Sequence, residues 1–228
     1  FLTEGARPLN SIFSYFRNMD WAGVVGLLLQ VAGVLICLTV HEVSHGAAAY
    51  ALGDPTAKSQ HRLSLNPLRH LDLFGTLMML MAGFGWAKPV PVDMRYFKHP
   101  KSGMAITALA GPVSNFVLAY LALLAVHIFD PFLNGGALWA GTAVRFLLSL
   151  ASLSLGLGIF NLIPFPPLDG SKVLGAFLPD RMYYTILRYE RIGMFILMGL
   201  LYFNVLDGVL FYARGTVLNF LLRCSGWG

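Results

Sequence analysis

Charge is what this chain has least of. Only 12% of its 228 residues are Asp, Glu, Lys or Arg, while 57% are hydrophobic. Soluble domains carry about twice that charged fraction, so composition alone excludes an ordinary soluble globular fold. Cysteine is nearly absent. Cys37 falls in an apolar run and Cys224 near the end of the chain, so no disulfide framework is indicated and neither residue fixes a compartment. Internal repeats and low-complexity tracts are missing. The formal net charge of +5 calls for no nucleic acid, because basic residues gathered in one set of membrane loops produce the same excess. An apolar secretory leader is not expected either. Residues 1–20 mix Glu4, Arg7, Arg17 and Asp20 with Ile12, Phe13, Tyr15 and Phe16, which suits an interfacial amphipathic helix or a frayed terminus.

What the chain has instead is long apolar runs. Four of them, over 21–51, 103–129, 137–163 and 192–212, meet the ~20 residues a bilayer needs. A fifth run, over 73–84, is too short to span and reads as a re-entrant or protein-buried piece. Its Met78, Met79 and Met81 read as packing. Residues 85–93 follow with Pro89 and Pro91 among small and β-branched residues, which suits an edge strand or an extended loop. The expected fold is an all-α polytopic membrane protein. It has about four transmembrane helices plus a re-entrant or extended segment, with room for a short β-hairpin, between the first and second. Residues 1–20 form an interfacial segment, 21–213 a single transmembrane domain, and 214–228 a C-terminal tail.

Eleven of the sixteen Lys and Arg lie on the side of the membrane reached at the end of the first span: Lys58, Arg62, Arg69, Lys88, Arg95, Lys98, Lys101, Lys172, Arg181, Arg188 and Arg191. The positive-inside rule makes that side cytoplasmic. The ends of the first and third spans then face the same way.

Within residues 35–50 stands His41-Glu42-Val43-Ser44-His45, an ionisable cluster in a hydrophobic span. Such groups are costly in lipid and mark function by default. Residues i and i+4 share a helix face, so His41 and His45 can present two imidazoles to one ion, with Glu42 beside it as a general base. Zinc in a catalytic site takes a third protein ligand and leaves a fourth position for water. Asp169 suits that part best, because it ends an apolar span beside prolines that free the backbone and precedes Gly170. Asp54 is the rival, only nine residues after His45. His61, His70 and His99 sit in polar loops and read as solvated. Cys37, one turn before His41, reads as a small apolar filler.

Three motifs occur in order: His41-Glu42-x-x-His45, Gly111-Pro112-x-x-Asn115, and Asn161-x-x-Pro164-x-Pro166-x-Leu168-Asp169-Gly170. Together they resemble the site-2 protease family of intramembrane zinc metalloproteases. Residues 62–72 and 85–92 resemble its compact prokaryotic branch without PDZ domains. The resemblance implies one zinc per chain held by His41, His45 and Asp169, with Glu42 as the catalytic acid/base. It implies that Asn115 supports substrate or the developing oxyanion, and that Asn161 plays a similar supporting part. Residues 85–92 would lie near the site and pair with an unwound substrate as an added strand. The implied partners are transmembrane protein substrates and the lipid bilayer. The implied location is the inner membrane of a prokaryotic cell, with the site toward the cytoplasm. A catalytically silent zinc-binding scaffold and a metal transporter remain as other readings.

Overall fold

The computed structural model describes residues 21–72, 74, 75, 77, 88–133 and 138–226, with backbone alone for 130–133, 138 and 139. The expected interfacial segment over 1–20, most of the re-entrant piece over 73–84, and 85–87 lie outside the described residues. Most of the described residues are helical, with no strand among them. In chain order the helices are α1 (Trp21–Ala51), α2 (Thr56–Ser59), α3 (Pro100–Leu133), α4 (Leu138–Asn161), α5 (Asp169–Gly175), α6 (Asp180–Arg188), α7 (Glu190–Tyr202) and α8 (Asp207–Cys224).

Three helices, α1, α3 and α4, are long and apolar enough to cross a membrane. The 31 residues of α1 span about 46 Å, more than the ~30 Å hydrocarbon core. Gly53, at φ +104°, stops this helix. There the amide of Gly53 reaches Tyr50 O at 3.1 Å and that of Asp54 reaches Ala49 O at 2.9 Å. This bonding satisfies the last carbonyls through a left-handed glycine. Pro100 opens α3, where its missing N–H costs nothing.

Lipid tails are as apolar as leucine, so helices in a membrane associate by close packing and small residues rather than by escape from water. The bundle follows that rule. A Cβ on Gly158 of α4 would lie 2.9 Å from Phe116 and 3.1 Å from the carbonyl oxygen of Pro112, both on α3. Gly33 brings α1 against Leu153 of α4 in the same way. Cys37, Ala119, Ala122, Leu123, Leu150, Ala151 and Leu155 fill the centre. Cys37 is the filler expected of it, its thiol turned toward Leu150 O at 3.8 Å. Ser154 ties α4 to α3 by donating to the carbonyl of Asn115 at 2.8 Å.

The fourth apolar run is broken. α7 and α8 meet at an 85° bend, and Asn204 stands in the turn at φ +55°, a conformation asparagine tolerates better than most. Hydropathy runs on through the turn, which is why the sequence reads there as one span over 192–212. α8 also continues across 213/214 and carries Leu221 into the central core.

Candidate active site

The last turns of α1 carry His41 and His45 on the face turned toward α3 and α5. Their Nε2 atoms lie 3.0 Å apart. Asp169, first residue of α5, brings Oδ2 to 3.1 Å from Nε2 of His41 and 3.2 Å from Nε2 of His45. All three residues are buried. Asp169 gets there because α4 ends at Asn161 and the proline-rich loop over 164–167 turns the chain back. α5 then packs onto the end of α4 so tightly that a Cβ on Gly170 would lie 2.6 Å from the carbonyl oxygen of Ile163.

These three atoms fit zinc. A tetrahedral ion with ligands at about 2.0–2.1 Å separates neighbouring ligand atoms by roughly 3.3 Å, and the edges of this triangle are a few tenths shorter. Two imidazoles and one carboxylate are the donor set of a catalytic site that keeps a position open. The imidazole of His45 is also held in the right tautomer. Its Nδ1–H donates to the carbonyl of Thr107 at 2.7 Å, which leaves Nε2 as the free lone pair.

α3 approaches this pair of imidazoles through Gly111. A Cβ there would lie 2.5 Å from Nε2 of His45 and 2.7 Å from Cε1 of His41. Only hydrogen fits. The glycine of the Gly-Pro pair therefore has a packing reason that sequence alone did not disclose, although its place inside an apolar span was a signal.

Glu42 faces the same cavity, of about 420 Å³, whose lining includes Val90, Val92, Met104, Thr107, Lys172 and Glu190. Its Oε2 accepts a hydrogen bond from the amide of Val90 at 2.9 Å. Residues 88–93 thus run past the site as an extended segment that pairs with no strand among the described residues. Gly46, next to His45, lets this segment approach: a Cβ on it would lie 3.1 Å from the side chain of Val90 and 2.7 Å from that of Leu63.

The other expected residues separate. Asn115 is fully buried one turn beyond Gly111, and its amide has no protein partner among the described residues. Asn161 donates to Leu157 O of its own helix at 3.0 Å, so its side chain is taken up by the end of α4. Asp54 is buried away from the triad, with Thr56 and Asp93. His61 and His99 are exposed. His70, expected in solvent, is 1% exposed. Its Nε2–H donates to Ser64 O at 2.7 Å, because the loop over 62–70 folds back on itself instead of extending into water. Among the described residues, His41, His45 and Asp169 are the one group placed to share a metal.

Comparison with known proteins agrees with this chemistry. Residues 29–203 match the model of peptidase family M50. The chain is 38% identical over 173 residues to YwhC of Bacillus subtilis (strain 168), covering 75% of this chain and 78% of YwhC. It is 30% identical over 215 residues to Rip2 of Mycobacterium tuberculosis (strain ATCC 25618 / H37Rv), covering 92% and 78%. It is 33% identical over 202 residues to MJ0392 of Methanocaldococcus jannaschii, covering 85% of this chain and 48% of that longer protein. All three names include "zinc metalloprotease", and the first two mark the assignment as provisional. No solved structure matches.

Proposed function

This chain belongs to peptidase family M50, and from that premise we propose that it is an intramembrane zinc endopeptidase cutting transmembrane-helix substrates near the cytoplasmic face. That it is a zinc metalloprotease with apolar membrane helices follows from family and relatives. The observation that carries the rest is the meeting of three buried ligand atoms beside a carboxylate, at the ends of membrane-spanning helices.

His41, His45 and Asp169 hold the metal in this reading, one ion per chain. Zinc so held supplies Lewis acidity, lowering the pKa of a water toward ~7 and polarising a peptide carbonyl. Glu42 takes the proton from the attacking water and returns it to the departing amine. The Asn115 amide, buried and with no protein partner among the described residues, is available to the carbonyl oxygen as charge develops on it. Asn161 acts at one remove, by closing the end of α4 so that the loop can deliver Asp169. Water reaches the site through protein, since lipid offers none. A helical substrate hides its carbonyls in its own hydrogen bonds, so the scissile stretch must unwind first. The extended 88–93 segment offers such a stretch a backbone to lie against.

The cytoplasmic orientation rests on the eleven basic residues on that side and on both halves of the site sitting at the same ends of α1 and α4. A prokaryotic inner membrane is the setting this implies.

The test is Glu42→Gln in purified protein with a reporter transmembrane helix. Zinc should stay near one per chain while cleavage falls by roughly 10²–10⁴-fold. Cleavage at the wild-type rate would end the protease reading.

A further inference from the structure

Two buried charges flank the 88–93 segment, and each is met mainly by backbone. At one end Arg62, 8% exposed, donates from Nη2 to the carbonyls of Lys88 at 2.6 Å and Pro89 at 3.2 Å, and from Nη1 to the carbonyl of Arg69. The Lys88 amide closes that end by donating to His70 O at 2.8 Å. At the other end Asp54, fully buried, accepts from the Asp93 amide at 2.7 Å through Oδ2. Its Oδ1 takes the Thr56 amide at 2.9 Å and the Thr56 hydroxyl at 2.5 Å.

Buried charges are expensive, and apolar residues of similar size stabilise a fold at least as well. What these two accomplish is placement. Between their anchor points lies Val90, whose amide donates to Glu42. Pro89 and Pro91 have no N–H, so Val90 is the single amide donor in residues 89–91. Its side chain is buried against Gly46, which fixes the peptide plane relative to α1. The amide of Val92, next along, has no protein partner among the described residues.

We propose that Arg62 and Asp54 are positioning residues for the reaction, clamping the 88–93 segment at both ends so that the Val90 amide sets the carboxylate of Glu42. Neither residue belongs to the metal triad or lines the cavity, so both act through the segment, Arg62 by way of Lys88 and Pro89 and Asp54 by way of Asp93. The Val92 amide, with no acceptor among the described residues, stays available to a substrate carbonyl. This inference rests on the protease reading above and deepens it.

Asp54→Asn and Arg62→Lys in the full chain test it. Asparagine keeps the shape of Asp54 but turns one acceptor into a donor. A lysine ammonium cannot span the three carbonyls that the guanidinium reaches. Each variant should keep zinc near one per chain and its helix content, while kcat per zinc-loaded chain falls about tenfold or more, as small misplacement of a reacting group does. The amide proton of Val90, shifted downfield by its carboxylate acceptor, should move upfield in both variants. A purely structural role would lower the zinc-loaded fraction and leave turnover per loaded chain alone. Wild-type kcat per zinc in both variants, or an unmoved Val90 resonance, overturns the proposal. Glu42→Gln separates the two levels: if it is silent while these variants turn over normally, only the clamp fails, and if it cleaves, the protease reading itself fails.

Discussion

Gly111 stands so close to His45 that a Cβ on it would lie 2.5 Å from the imidazole's Nε2. That nitrogen is one of three atoms meeting at the candidate metal position, so α3 bounds the site from behind with bare backbone. Gly111→Ala should push the two imidazoles apart and weaken zinc binding by roughly 10–100-fold, the usual cost of disturbing the groups that orient a ligand. Zinc titration in detergent, with helix content followed by circular dichroism, is the check. Loss of metal with helices intact is the expected result.

Asp169 approaches both imidazoles within 3.2 Å and would supply the negative charge in the proposed donor set. Asp169→Ala should leave two ligands, with zinc content well below one per chain by metal analysis. Full zinc occupancy in that variant would remove Asp169 from the ligand set.

Stripping the metal with a chelator should abolish cleavage, and zinc should restore it. The bundle itself should survive, because its packed centre at Leu150, Leu155 and Ala119 is built from apolar side chains. Zinc binds the folded arrangement of α1 and α5, so adding it should raise the melting temperature. A hundredfold excess over Kd corresponds to about 2.7 kcal/mol.

His70 is a counter-example among the histidines. Buried and bonded to Ser64 O, it holds the loop that Arg62 also grips. His70→Ala should cost about 1–3 kcal/mol, through the lost bond to half-buried Ser64 and the space left by a buried ring, and should leave zinc stoichiometry at the wild-type value. Denaturation monitored beside metal analysis separates these effects.

The spans α1, α3 and α4 were legible in the sequence because lipid demands apolar length, and length is a local property. The two histidines were legible for a similar reason, since i and i+4 spacing is geometry within one helix. Asp169 could be favoured over Asp54 from its place at the end of an apolar run, together with family resemblance. The bend at Asn204 was not legible, because Leu200 to Leu210 stays mostly apolar while one backbone conformation turns the chain. Nor was the clamp. The Asp54–Asp93 and Arg62–Lys88 bonds join residues 39 and 26 positions apart, and no periodicity links them. His70 read as solvated because its neighbours are polar; its burial comes from the fold of the loop as a whole.

α1 ends at Ala51, six residues beyond His45, about 9 Å of helix. If the substrates are membrane helices, as proposed above, that remnant is a depth gauge. Peptide bonds level with His45, about 9 Å along the helix axis from Ala51, would be the ones in register with the metal position. Bonds at other depths would pass it by. Selection among substrates would then begin with where a helix is weak, before any side chain is read.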